Sequence, residues 1–286
     1  MQRYLITCPA DELWGVVVTS VGTQNSAPGD HYPPQDHPTR YLFEHSTGRI
    51  LDEYQLIYLA EGSGTFESRS AGVVKVTSGD AFLLFPGEWH TYAPDPKTGW
   101  KEYWIGLKGM LPDTWRQQGL ICPDAPIMHA DLSDEIISDY SKAIETASQQ
   151  KSSYQQAISG LAVRIITEVL YHARNKAFTE ARSDEHMLRA KNYISEKDGI
   201  TSPEEVASSI GMGYSYFRKL FKEYTGLSPA RYILEIKMAK ARELLINTDM
   251  QIQEIAWKLG FENADYFTTA FRRVCSVPPN AYRATH

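Results

Sequence analysis

Val206-Ala207-x-x-Ile210-Gly211, then Tyr216-Phe217-x-x-x-Phe221, Pro229 and Tyr232, is a pattern that this chain writes twice. The second copy runs Ile255-Ala256-x-x-Leu259-Gly260, then Tyr266-Phe267-x-x-x-Phe271, Pro279 and Tyr282. The offset is 49 residues up to the glycine and 50 after it, so the second turn holds one extra residue. Each copy reads as helix, tight turn, helix. Ser202-Pro203-Glu204-Glu205 is a capping box with proline at the first helical position, so a helix begins there. Val206, Ala207 and Ile210 form its buried face, and Gly211 ends it by taking a conformation that residues with a Cβ resist. In the next helix Phe217, Leu220, Phe221 and Tyr224 fall at i, i+3, i+4 and i+7, one apolar stripe.

The face opposite that stripe shows Ser215, Arg218, Lys219 and Lys222. Such donors reach guanine O6 and N7 or pin phosphates, which suits the major groove of double-stranded DNA. A single cationic face is as readily just solvated. Two copies joined by one continuous helix, Pro229 to about Ile246, favour DNA. A stiff connector can hold two reading helices about one duplex turn apart, roughly 34 Å. In the second copy Phe267, Ala270, Phe271 and Val274 are the stripe, with Ala264, Asp265, Thr268, Thr269 and Arg272 in front. The threonines can touch thymine methyls or phosphates, while Asp265 repels backbone unless it accepts from cytosine N4. The first unit is therefore expected to supply most affinity and the second a weaker, more discriminating contact.

Charge is distributed to match. Of the 286 residues, 1–181 hold 14 Lys and Arg against 22 Asp and Glu, whereas 182–286 hold 15 against 13. Placement on one face matters more than the sum. No stretch approaches the roughly 18 uncharged apolar residues of a membrane helix, and the polar run Thr7 to Glu12 spoils any secretory signal. Three scattered cysteines, Cys8, Cys122 and Cys275, suit a reducing compartment, so the cytoplasm is expected.

Outward from the repeat the texture changes. Thr179 to Glu185 is polar and reads as a linker. Before it, Ile136, Ile137, Tyr140 and Ile144, then Ile158, Leu161, Ala162, Ile165, Ile166, Val169 and Leu170, keep helical spacing. Those two helices can pack on the preceding domain, on each other, or on a second subunit. From Tyr41 to about Lys108 short apolar runs such as Gln55 to Leu59 and Ala81 to Phe85 are cut by Gly-rich turns, which argues for a small barrel or sandwich. The Pro-rich stretch Ala27 to Pro38 reads as an arm or loop.

Ser202 to Arg283 closely resembles the DNA-binding domain of AraC-type (arabinose-operon regulator) proteins. The resemblance rests on Leu220-Phe221-Lys222, Thr225-Gly226, Ala239, Ala241, Leu244-Leu245, Ile252-x-Glu254-Ile255-Ala256, Gly260-Phe261 and Tyr282-Arg283, besides the repeat itself. It places the base-reading residues at Ser215, Arg218 and Lys219, and at Ala264, Asp265, Thr268 and Thr269. Two departures stand out: Lys237 where an arginine is usual, and Ser276 where a glycine usually follows the last helix, so that corner is expected to be reshaped. More loosely, Gly62-x-Gly64-x-Phe66, Gly79-Asp80, Phe85-Pro86-Gly87-x-x-His90-x-Tyr92 and Trp100-x-x-Tyr103-Trp104-x-Gly106 resemble that family's effector-binding cupin barrel. The resemblance implies a small-molecule effector, often a sugar, a homodimer formed through helices after the barrel, and contact with RNA polymerase.

The expected fold is α+β. A cupin-like β-barrel with an N-terminal arm (1–130) precedes a helical dimerisation segment and linker (131–180), and an all-α domain with two helix-turn-helix motifs (184–286) follows. For the effector the candidates are Arg49, Tyr92, Glu102, Tyr103 and Trp104, aromatic faces for sugar C–H groups and polar ends for hydroxyls; loose alignment with the arabinose regulator supports Arg49, Tyr92 and Trp104. That these aromatics simply fill the core stays open. Enzymatic cupins chelate a metal through several histidines and a glutamate, yet Gln55 to Phe66 has no histidine, and His31, His37 and His45 lack ligand spacing. His90 is read as a structural hydrogen-bonder, with no metal, no cofactor and no catalytic residue expected. The alternatives are a small-molecule-modifying cupin enzyme and a regulator whose barrel only dimerises.

Overall fold

The β-branched run Val16-Val17-Val18 favours extended backbone, and the sheet has begun there, well before Tyr41. The structure, a computed structural model, describes residues 2–33, 44–180 and 183–285, with the side chains of 177–180 excepted. The second half of the Pro-rich arm, His37 and the Tyr41 start of the β region lie outside the described residues. Two compact units make up the chain, residues 1–177 and 178–286.

In the first unit the strands are β1 (Gln2–Tyr4), β2 (Val17–Ser26), β3 (Arg49–Ile50), β4 (Tyr54–Ser68), β5 (Gly72–Thr77), β6 (Asp80–Leu84), β7 (Trp89–Pro94), β8 (Trp100–Lys108) and β9 (Ile127–His129). The helices are α1 (Pro9–Glu12), α2 (Met110–Gln117), α3 (Asp134–Gln149) and α4 (Tyr154–Glu180). All strand pairs are antiparallel, in the order β1-β2-β8-β4-β6-β9. The fifteen-residue β4 belongs to both walls: Tyr54 to Tyr58 pair with β6 and β8, Gly64 to Ser68 with β5 and β7.

This doubling explains the sequence texture. Strands covered on both faces read as continuous apolar runs rather than alternating ones. On the inner face Ile57, Leu59, Phe66, Phe82, Leu84, Tyr92, Trp100 and Trp104 line the barrel as one buried cluster. On the outer face Leu56, Tyr58, Leu83, Tyr103 and Ile105 meet α3 and α4. Those helices pack on the sheet, the first of the three dispositions their periodicity leaves open. Tyr140 donates to the Leu56 carbonyl at 3.2 Å, and Gln155 exchanges two hydrogen bonds with the Val18 backbone.

The second unit contains α5 (Asp184–Glu196), α6 (Pro203–Ser209), α7 (Tyr214–Thr225), α8 (Pro229–Asn247), α9 (Ile252–Lys258), α10 (Ala264–Cys275) and α11 (Pro279–Thr285). Since α4 reaches Glu180 and α5 starts at Asp184, the described residues of the predicted linker 179–185 are helical except Ser183. Its polar residues need no apolar anchor to extend a helix already nucleated. No helix among the described residues is long and apolar enough to cross a membrane.

Ser202 caps α6 as its sequence dictates: the Glu205 N–H donates to Ser202 Oγ at 3.1 Å and the Ser202 N–H to Glu205 Oε2 at 3.2 Å. The corner after α10 departs from expectation. Ser276 is not reshaped; it adopts φ +66°, nearly the +77° of Gly226 after α7. Its N–H donates to the Arg272 carbonyl at 2.8 Å, as that of Gly226 does to Lys222 at 2.9 Å. The closing hydrogen bond holds the serine in a left-handed conformation that costs about 1 kcal/mol. Ser276→Gly is therefore expected to stabilise this unit by about that much, read as an upward shift of its urea midpoint. An unchanged midpoint would mean that the serine is unstrained.

Candidate functional site

Each helix-turn-helix is held from behind by a chain of tilted and edge-to-face rings. In the first, Phe217, Phe221 and Tyr232 form a chain with centroid spacings of 5.2 and 5.3 Å. In the second, Phe267, Phe271 and Tyr282 repeat it at 5.8 and 5.5 Å. All four phenylalanines are fully buried. With the backs fixed, Ser215, Arg218, Lys219 and Lys222 are all exposed on α7, and Asp265, Thr269 and Arg272 on α10, where Ala264 and Thr268 are half-buried. Lys219 shares its charge with Glu223 at 4.0 Å. Asp265 sits in the first turn of α10, where the helix dipole favours an anion. The connector α8 has 19 residues, a rod of about 28 Å.

Inside the barrel, β3 and β7 bring Arg49 onto Tyr92. The guanidinium donates to Tyr92 Oη at 2.6 Å, to Gln55 Oε1 at 3.4 Å and to His90 Nε2 at 3.3 Å. On β8, in phase, lie Trp100, Glu102 and Trp104. Glu102 Oε1 accepts from Tyr32 at 2.9 Å, and Tyr32 also meets Tyr92 and Trp100 at centroid distances of 6.0 and 5.4 Å. Burial pushes the Glu102 carboxyl up to about 7, against the pull of Tyr32 and Arg49, and drives Tyr92 to about 12. Glu102 Oε2 and Trp100 Nε1 are buried, and neither has a hydrogen-bond partner among the described residues.

One candidate is misplaced. Tyr103 precedes Trp104 on a strand, so its side chain points to the opposite face. There it packs on Tyr140 at a centroid distance of 5.6 Å, in the layer against the helices. The polar inner set is Arg49, Tyr92, Glu102 and Trp104, joined by Tyr32 and Trp100.

An AraC-like ligand binding domain matches residues 17–188, and a helix-turn-helix domain matches 206–285. The chain belongs to the AraC-type regulators. It is a ligand-responsive, DNA-binding transcriptional regulator. Similar AraC-type proteins include the MmsAB operon regulatory protein of Pseudomonas aeruginosa, 27% identical over 260 residues, 89% of this chain and 83% of that one. The lactose operon transcription activator of Staphylococcus xylosus is 26% identical, covering 82% and 85%. The raffinose operon transcriptional regulatory protein of Pediococcus pentosaceus is 23% identical, covering 84% and 88%.

In this AraC-type barrel His90 is a hydrogen-bonder. Its Nδ1 faces the Glu88 carbonyl at 3.0 Å and its Nε2 accepts from Arg49. Burial and then Arg49 lower its pKa to about 3, so the ring stays neutral with both nitrogens engaged. The one group of potential metal ligands close enough to share an ion, among the described residues, is Glu135, Glu168 and His172 on α3 and α4, outside the barrel.

The residue-by-residue reading missed Tyr216 and Tyr266, which are 58% and 61% exposed beside the buried anchors Phe217 and Phe267. The signal was present: both occupy the same place in the repeat, and both lie off the apolar stripe. It also missed Trp100, since nothing local shows a strand's inner phase when both faces are apolar, and Tyr32, which lies in a bend of the Pro-rich arm and reaches the barrel only through long-range contacts.

The ionisation of Glu102 has a measurable sign. The folded chain holds its proton up to about 7, whereas an ordinary carboxyl releases it near 4.5. The contribution of Glu102 to wild-type stability therefore falls as pH rises from about 4.5 to about 7. His90, neutral when folded, opposes this from its ordinary 6.5 down to about 3, in wild type and variant alike. The melting temperature of Glu102→Gln minus that of wild type is thus expected to grow over pH 4.5–7 and then level off. A flat difference would assign Glu102 an ordinary pKa.

Proposed function

We propose that the barrel takes a carbohydrate between Arg49, Tyr92, Glu102 and Trp104. In this reading the chain acts in the cytoplasm as a homodimer beside RNA polymerase, and the sugar alters how its DNA-binding heads meet double-stranded DNA. The observation that carries the sugar is the buried pair Glu102 Oε2 and Trp100 Nε1. They are an acceptor and a donor without protein partners among the described residues, set in aromatic walls beside a guanidinium. Buried polar groups of this kind are costly unless a ligand satisfies them. Hydroxyls would satisfy both, and ring faces suit sugar C–H groups. The raffinose and lactose regulators among the relatives support the same class.

For the dimer, the support is apolar surface on the helix pair: Ile137, Leu161 and Leu170 are only partly covered, and Tyr171 is 63% exposed. The sugar can shift the equilibrium between DNA-binding arrangements only by its differential affinity for them. Calorimetry across a panel of mono- and oligosaccharides tests the ligand, with Glu102→Gln and Trp104→Ala as variants that should weaken the heat. The sugar reading fails if the panel gives no heat while another ligand class binds. Light scattering tests the homodimer separately.

A further inference from the structure

Beside the N-terminus of α10 runs a groove, between α8 and the turn from α9 to α10, that the two reading faces leave unexplained. Its volume is roughly 730 Å³, and its lining includes Arg231, Lys237, Phe261, Asn263, Tyr266 and Arg273, with a single carboxylate, Glu262. Lys237 is the unusual member. Its stem is wedged against the turn before α6, where a Cβ added to Gly199 would stand 2.9 Å from Lys237 Cγ. Its ammonium lies over the Phe261 ring, 5.0 Å from the centroid. The side chain is half-buried, and burial alone lowers its pKa from the usual lysine value.

Two of the other three cations on the same helix are neutralised locally, and the third, Arg242, lies beside Cys275. Arg231 pairs with Glu235 at 2.6 Å and Lys240 with Glu243 at 3.0 Å. Lys237 pairs with no carboxylate among the described residues. A half-buried cation without a counter-charge is costly, and an aromatic face offsets only part of that cost. The groove thus offers a fixed positive group, an exposed arginine and the polar ends of Asn263 and Tyr266 to something negatively charged. Its location says what. Asn263 and Tyr266 flank Ala264 and Asp265, so a duplex read by the start of α10 carries its sugar-phosphate backbone past the mouth of the groove.

We propose that this groove seats one backbone phosphate of the bound duplex, with Lys237 as its inner cation and Arg273 at its rim. The inference rests on the reading of α7 and α10 as the DNA-facing helices and adds a contact outside both. It makes Lys237 a sequence-independent anchor that sets the second helix-turn-helix against the duplex.

The test uses the full chain and a fluorescent random-sequence duplex, with anisotropy titrations between about 50 and 200 mM salt. Lys237→Met keeps the stem and removes the charge. Losing one phosphate contact should flatten the slope of log affinity against log salt by about 0.9, a three- to fourfold smaller change in affinity over that interval. The absolute loss should be equal on random and on selected duplexes, and Lys237→Arg should restore the slope. Arg273→Gln, at an exposed residue, should flatten the slope in the same direction and serves should Lys237→Met fold poorly. If wild type binds in a salt-sensitive way and both variants keep its slope, the groove proposal is overturned while the DNA reading stands. A Lys237→Met variant that folds and loses affinity at unchanged slope acts through packing, and also overturns it. If wild type itself shows no salt-sensitive attachment, the DNA reading falls and the groove with it.

Discussion

Phe271→Ala is expected to destabilise the C-terminal unit by about 3–5 kcal/mol. Phe271 is fully buried and packed between Phe267 and Tyr282, tilted against the one and edge-on to the other, in a cluster that also takes Met238, Ala241 and Leu245 from α8 and Ile255 and Ala256 from α9. It is the ring through which three helices touch, so truncation leaves a void that none can fill without giving up its own contacts. For a unit of about 100 residues each 1 kcal/mol is worth about 4–8 °C, so the loss should exceed about 10 °C. Thermal melting followed by helical circular dichroism reads it. Tyr266→Ala, an exposed aromatic one residue from an anchor, serves as control and should leave stability within about 0.5 kcal/mol. If both variants melt alike, the aromatic chain is not what holds the second helix-turn-helix.

The second large effect falls on affinity. Arg218→Ala should weaken binding to a cognate duplex by about 1–3 kcal/mol, or about 5- to 150-fold. Arg218 is exposed at the middle of α7 and has no carboxylate partner among the described residues, whereas Lys219 is shared with Glu223. Its full charge and planar fork are available for a guanine or a phosphate. Thr269→Ala removes one hydroxyl and one methyl from α10 and should cost less while relaxing base preference at its position. Equal losses on one cognate site would dismiss the division of labour between the two units.

The helical half could be read because its signals are local and redundant. Gly211 and Gly260 mark turns at φ +73° and +70°, the Ser202 capping box forms, and the 3-4 stripes bury the predicted phenylalanines. The barrel half offered less. Its central strands lack period-2 alternation because helices cover the outer face, so Tyr103 could not be told from Trp104. The early strand β2 was overlooked because a polar, turn-prone stretch precedes it and no turn pair announces it. Its place, hydrogen-bonded between β1 and β8, is a long-range matter. Ser276 is the converse case: residue type argued for a new corner, and the backbone bond to Arg272 kept the old one.

The two-sided sheet has a consequence for signalling. Glu102 and Trp104 look inward, and Tyr103, the residue between them, rests on Tyr140 of α3. A wall one strand thick cannot absorb motion on one side without showing it on the other. Were the proposed guest to nudge β8 outward, it would press on the helical layer through a lever only a single peptide long, and its occupancy would then leave the barrel by displacement, with no relay of charges.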